Sequence, residues 1–108
     1  MPSITLYASE NHRFEAESFA TFSTALAGLA REILKAKENN IHISYVTAEI
    51  GFGTPIYFEA RLRQEIFRTT SLMEEFTHQV DLLIKERTGV SARIRCFSFD
   101  ASNIYGKN

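Results

Sequence analysis

The sequence predicts an α+β fold: two β-α-β units in one domain, giving a four-stranded mixed sheet with two helices on one face. Three observations carry this. Runs that alternate apolar and polar residues occur at 3–7, 41–46, 56–63 and 92–100, and the two long segments between them repeat apolar residues every three or four positions. The order strand, helix, strand then occurs twice at nearly equal length, over 2–50 and 54–100, without evident sequence identity between the halves. A chain of 108 residues fits a single domain, 1–108, closed by a short polar tail at 101–108.

The first strand places Ile4 and Leu6 on one side and Thr5 and Tyr7 on the other. After the polar segment 9–13, Phe19, Phe22, Leu26, Leu29 and Ile33 form one apolar stripe on a helix of roughly five to six turns. The polar run 35–40 closes it, with Lys35 and Lys37 near the negative end of the helix dipole. Branched and aromatic residues over 41–46 make the second strand, and Gly51-Phe52-Gly53-Thr54-Pro55 the turn after it. The third strand alternates cleanly, with Ile56, Phe58, Ala60 and Leu62 opposite Tyr57, Glu59, Arg61 and Arg63. Ser71-Leu72-Met73-Glu74 reads as a capping box opening a second helix with the stripe Met73, Phe76, Val80 and Leu83, and Gly89 as its left-handed stop. The last strand puts Arg93, Arg95, Phe97 and Phe99 on one face and Ile94, Cys96 and Ser98 on the other, and Ile104 and Tyr105 are the anchors of the tail. Right-handed crossovers in both halves bring both helices to the same face of the sheet.

Composition excludes several classes of function. With 44% apolar and 23% charged residues the chain is globular, not disordered. A formal net charge of -1 argues against a nucleic-acid partner. The single cysteine, Cys96, rules out an intrachain disulfide and a redox pair, and by alternation it faces the core. His12, His42 and His78 are too scattered for a metal triad, so no metal is expected, and Gly51-x-Gly53 precedes a strand and lacks the further glycine of a phosphate loop. No segment is long and apolar enough to span a membrane, and the first residues lack the charged-then-apolar layout of a signal peptide; a cytoplasmic protein without a membrane partner is the expectation.

The face of the sheet turned away from the helices mixes Tyr57, Phe97 and Phe99 with Glu59, Arg61, Arg63, Arg93 and Arg95. A purely solvated face does not need three large aromatics, and a fully buried one does not tolerate five charges without partners. Two readings remain open: a subunit interface in which any unpaired arginine faces a bound anion, or a wet sheet on which Glu59 forms ordinary ion pairs.

Pro2 is the one residue whose chemistry stands out. If Met1 is removed, Pro2 carries a free secondary amine, which accepts a proton or attacks a carbonyl as no internal proline does. Pro2 opening the first strand, two strand-helix-strand halves in a chain of this length, Glu86-Arg87 ending the second helix, and Phe97-Ser98-Phe99-Asp100 before a short tail together resemble the tautomerase superfamily, in its macrophage migration inhibitory factor-like branch. The resemblance spans nearly the whole chain, with Pro2 its one single-residue signature.

The resemblance implies a homotrimer whose four-stranded sheets wrap into a barrel with the helices outside and active sites between subunits. It implies keto-enol tautomerisation: proton transfer α to a carbonyl of a small, carboxylate-bearing substrate, with Pro2 as general base and no cofactor. The basic residue that this branch places near the end of the first helix falls at Lys35 or Lys37. The tyrosine and asparagine that alternate on its last strand and reach the neighbouring subunit's proline are replaced here by Arg95 and Phe97. Arginine holds a carboxylate with a two-pronged contact, so this departure points to a different substrate. Arg61, ahead of Arg63, is a second candidate for the carboxylate. Two other readings stay open. One is a non-catalytic trimeric binding or regulatory protein that retains the fold, favoured if Tyr105 or Phe97 fills the pocket. The other is a ferredoxin-like domain, which has the same order of elements but splits each strand pair.

Overall fold

The computed structural model describes residues 2–108. Four strands, β1 (Ser3–Ser9), β2 (His42–Ala48), β3 (Ile56–Arg63) and β4 (Arg93–Phe99), and two helices, α1 (Ala16–Glu32) and α2 (Thr70–Thr88), follow the predicted order. The sheet order is β2-β1-β3-β4. β1 pairs parallel with β2 and β3 parallel with β4, while β1 and β3 run antiparallel at the centre. Each crossover helix therefore joins neighbouring strands. A ferredoxin-like sheet would separate them, and the strand order excludes that alternative.

Alternation in the two central strands decides which face is buried. Ile4, Leu6 and Ala8 of β1 and Ile56, Phe58, Ala60 and Leu62 of β3 are all buried, whereas the residues between them are half-buried or exposed. Phe22, Leu26 and Ala30 of α1 and Phe76, Val80 and Ile84 of α2 complete one core with them, so both helices cover the same face. Phe14 stacks on Phe22 at 5.0 Å between ring centroids, and Phe58 meets Phe76 at 6.4 Å. Fully burying side chains of this size contributes about 1.5–3 kcal/mol each.

The helix ends differ from the sequence reading in informative ways. Helix α1 has 17 residues, about 4.7 turns, shorter than the five to six expected. It stops because Lys35 takes a left-handed conformation, φ 56°, and the Ala36 amide donates to the Ala30 carbonyl at 3.1 Å. That reversal tucks Leu34 and Ala36 into the core. Helix α2 is capped by Thr69, whose hydroxyl accepts from the Leu72 amide at 3.2 Å, and Ser71 lies inside the helix. The earlier start lets Leu72 pack against the core. Gly89 ends α2 with φ 77° as expected. In the tail Ile104 is half-buried, but Tyr105 is 91% exposed and anchors nothing within the chain. A 3-10 turn over Ala101–Asn103, fixed by the Asp100 carboxylate accepting from the Ser102 amide at 3.0 Å, directs it outward.

Candidate active site

Pro2 directly precedes β1, one of the two central strands. Its side chain is fully buried, and its carbonyl accepts from the His42 amide at 3.0 Å, which ties it to the start of β2. On its other side Ser3 pairs with Arg61, so the antiparallel register carries on toward the last residues of β3. Three pieces of chain meet at this end of the sheet: the start of β1, the end of β3 and the segment between α1 and β2.

A cleft of about 350 Å³ is formed from two of them, lined by Lys35, Ala36, Lys37, Asn40, Arg63, Glu65, Phe67 and Arg68. Lys35 and Lys37 arrive there because α1 reverses at its left-handed end, and Arg63 because β3 ends where the cleft begins. Arg68 is held from two sides. Its Nε donates to the Leu34 carbonyl at 3.1 Å and a terminal nitrogen to the Arg63 carbonyl at 2.8 Å, while its guanidinium lies 5.4 Å from the centre of the Phe67 ring. Burial lowers the pKa of Arg68 from its ordinary value, with Arg63 adding to the effect and Glu65 opposing it. Among the described residues no ion pair involves Lys35, Lys37, Arg63 or Arg68.

The outer face of the sheet is a ladder in register. Ser3, Arg61 and Phe97 share one row across β1, β3 and β4; Thr5, Glu59 and Arg95 share the next; Tyr7, Tyr57 and Arg93 the third. Tyr7 and Tyr57 stack at 5.8 Å. Glu59 accepts from the Tyr57 hydroxyl at 3.0 Å and pairs with Arg61 at 3.2 Å. Partial burial raises the Tyr57 hydroxyl above its ordinary pKa, with the Glu59 carboxylate next, against a lowering pull from Arg93 and Arg95. Arg95 points a terminal nitrogen at its own neighbour's carbonyl, Ile94, at 2.8 Å and makes no ion pair among the described residues. Phe97 is 42% exposed and Phe99 36%.

Of the residues singled out by sequence, Lys35, Lys37 and Arg63 line the cleft, while Pro2 is buried at the same end of the sheet and does not line it. Arg61 stands two residues short of it, engaged by Glu59, and Arg63 takes the place in the cleft. Arg95 and Phe97 lie on edge strand β4, two strands from Ser3, roughly 10 Å at ordinary strand spacing. Neither lines the cleft of its own chain. Arg68 and Asn40 escaped the sequence reading because both lie in aperiodic connections. The one signal for Arg68 was that it is the third arginine within eight residues, after Arg61 and Arg63.

Cys96 packs beside the core, and burial raises its thiol to about 11, which favours the protonated form over the nucleophilic thiolate. No cluster of histidine, cysteine and carboxylate side chains able to hold a metal occurs among the described residues. No helix among them is long and apolar enough to cross a membrane.

No protein-family model matches the chain, and no curated protein matches it. Solved structures do. N1, a member of the cis-3-chloroacrylic acid dehalogenase family, superposes with a TM-score of 0.83 at 14% identity, over 97% of this chain and 80% of that one. The macrophage migration inhibitory factor-like protein of Entamoeba histolytica gives 0.78 at 12% identity, over 99% and 95%. This is the tautomerase fold. A fused 4-OT described as a symmetric trimer shares it, with a TM-score of 0.81 at 13% identity over 98% of this chain and 94% of that one. The names differ widely while the tautomerase fold stays the same, so the reaction must be argued from the site.

Proposed function

We propose that the protein catalyses keto-enol tautomerisation of a small 2-oxo acid, with Pro2 as general base after removal of Met1. The observation that carries the reading is the burial of Pro2 at the start of β1, at the end of the sheet where Lys35, Lys37, Arg63 and Arg68 gather. An amine taken out of water and set near cations favours its neutral form, the form a base needs. The Pro2 nitrogen takes the enol hydroxyl proton and a proton returns to the carbon α to the carbonyl, so no atom is gained or lost. The cleft cations hold the substrate carboxylate and stabilise the charge that builds on oxygen. A positioned base of this kind contributes about 10²- to 10⁴-fold in rate.

The acting unit in this proposal is a homotrimer. Both β2 and β4 are edge strands, and the outer face leaves Val46, Phe97 and Phe99 more than a third exposed beside Arg93 and Arg95. An interface covers these edges and aromatics, and it gives Arg95 and Phe97 of one subunit a route to Pro2 of the next. Arg61 orders Glu59 on the same face. The alternative, a non-catalytic binding protein of the same fold, predicts a pocket filled by Tyr105 or Phe97, and within one chain neither lines the cleft.

Three measurements test the proposal. Intact mass of the untagged protein is expected to lack one methionine, and Pro2→Ala is expected to abolish ketonisation of 2-oxo acid enols followed by ultraviolet absorbance. A chain that keeps Met1, or a Pro2→Ala variant that keeps its activity, overturns it. Sizing in solution is expected to give three copies, and a monomer contradicts the intersubunit site.

A further inference from the structure

The cleft is far more cationic than the chain that forms it. Against a net charge of -1 for the whole sequence, its lining carries Lys35, Lys37, Arg63 and Arg68 against the single carboxylate of Glu65. A helix C-terminus attracts lysines through its dipole, which accounts for Lys35 and Lys37 alone. Arg63 and Arg68 come from β3 and the segment after it, so cations from two separate pieces of chain converge on one volume. Crowding like charges costs free energy. Lys35 adds a second cost: with φ 56° it occupies a left-handed position at a helix end that glycine fills most easily. A lysine in that backbone conformation, lining the cleft, is a strained placement of the kind that collects at ligand sites.

The charges also set the ligand. Four cations and one carboxylate leave an excess of three positive charges, so a monoanion leaves two and a dianion leaves one. Arg68 is fixed by its bonds to the Leu34 and Arg63 carbonyls, so its guanidinium is an oriented planar cation while the lysines present point charges. A volume of about 350 Å³ lies at the lower end of the range for ligand sites and accommodates a small acid.

We propose that this cleft selects a small 2-oxo acid carrying a second anionic group, a carboxylate or a phosphoryl, over one carrying a single carboxylate. The 2-oxo part rests on the function proposed above, while the preference for two anionic groups rests on the cleft alone.

Titration calorimetry at about 50 mM salt, low enough to limit screening, tests it with two matched pairs. The pairs are 2-oxoglutarate against 2-oxopentanoate, of equal chain length, and phosphonopyruvate against pyruvate. At least one doubly anionic member is expected to bind about ten-fold or more tightly than its partner, about 1.4 kcal/mol. The pair with the larger gap identifies the second group as carboxylate or phosphoryl. Arg63→Gln and Lys35→Gly are each expected to shrink the gap at least about three-fold, and Lys35→Gly to do so with an undiminished urea midpoint, because glycine relieves the left-handed strain. Equal affinities within both pairs overturn the proposal, as does a gap that neither variant narrows. The same titrations on Pro2→Ala separate the two claims. A preserved gap with unchanged turnover sinks the general-base reading and leaves this one standing, and lost turnover with equal affinities does the reverse.

Discussion

Replacing Arg68 by methionine tests whether the cleft is a braced structure or a chance meeting of side chains. Methionine keeps the unbranched stem and deletes the guanidinium. The loss is two hydrogen bonds, from Nε to the Leu34 carbonyl at 3.1 Å and from a terminal nitrogen to the Arg63 carbonyl at 2.8 Å. A hydrogen bond involving a charged group contributes about 1.5–3 kcal/mol. Arg68 is half-buried and the Arg63 end is open, so the freed Arg63 carbonyl finds water while that of buried Leu34 does not, and the lower end of that range is a floor, about 3 kcal/mol for the two. Burial of the guanidinium already works against its charged form, and methionine escapes that penalty, so the net expectation is a loss of about 2 kcal/mol. Urea unfolding at fixed protein concentration reads this directly. With a slope of about 1–3 kcal/mol per molar, the midpoint falls by roughly 1 M. Arg68→Lys, which restores charge without the fork, is expected to recover only part of it. A midpoint for Arg68→Met within about 0.2 M of the parent, equivalent to less than about 0.5 kcal/mol, refutes the bracing argument.

The remaining predictions concern the scaffold. Phe76, fully buried against Phe58, is expected to cost about 3–5 kcal/mol when cut to alanine, measured by the same unfolding curves. Thr69→Ala removes the cap of α2 and is expected to cost about 1 kcal/mol, whereas Ser71→Ala, inside the helix, is expected to change the midpoint little. Cys96 gives a pH dependence with a definite sign. Its folded thiol titrates at about 11 against an ordinary 9.0, so the contribution is intact below pH 9 and is lost as pH rises toward 11, where the unfolded chain ionises first. Stability is therefore expected to fall across that window more in the parent than in Cys96→Ala, and a thiol reagent at pH 8 is expected to label the unfolded chain far faster than the native one.

Much of the fold was legible because the core obeys two simple periods. The alternation of Ile56, Phe58, Ala60 and Leu62 gave the buried face of β3 residue by residue, and Gly89 marked the end of α2 because a left-handed residue there is cheapest as glycine. The end of α1 was not legible for the converse reason: Lys35 takes the left-handed position without being a glycine, so the local pattern ran on past the true stop. The cap of α2 was misplaced by two residues because Thr69-Thr70-Ser71 offers successive hydroxyls, and only the packing of Leu72 chooses among them.

The site was legible in part. Pro2 stood out by its chemistry, and the lysines after α1 by their place on the resemblance. Which of Arg61 and Arg63 lines the cleft could not come from alternation, since both lie on the same face of β3; it follows from the strand's end and from Glu59, which engages Arg61. Arg68 acts through backbone carbonyls 34 and 5 residues away, a relation with no periodic trace. Arg95 and Phe97 depend on a neighbouring subunit for any part in the site, and no single-chain pattern carries that.

The central claim is that the Pro2 amine moves the proton. Ketonisation of a 2-oxo acid enol, measured side by side for the protein lacking Met1 and for Pro2→Ala at equal protein concentration, tests it most directly. The account predicts a fall in kcat of about 10²- to 10⁴-fold with the fold and the anion binding intact. A Pro2→Ala protein that turns over within about three-fold of the parent, a barrier change of well under 1.4 kcal/mol, would contradict it.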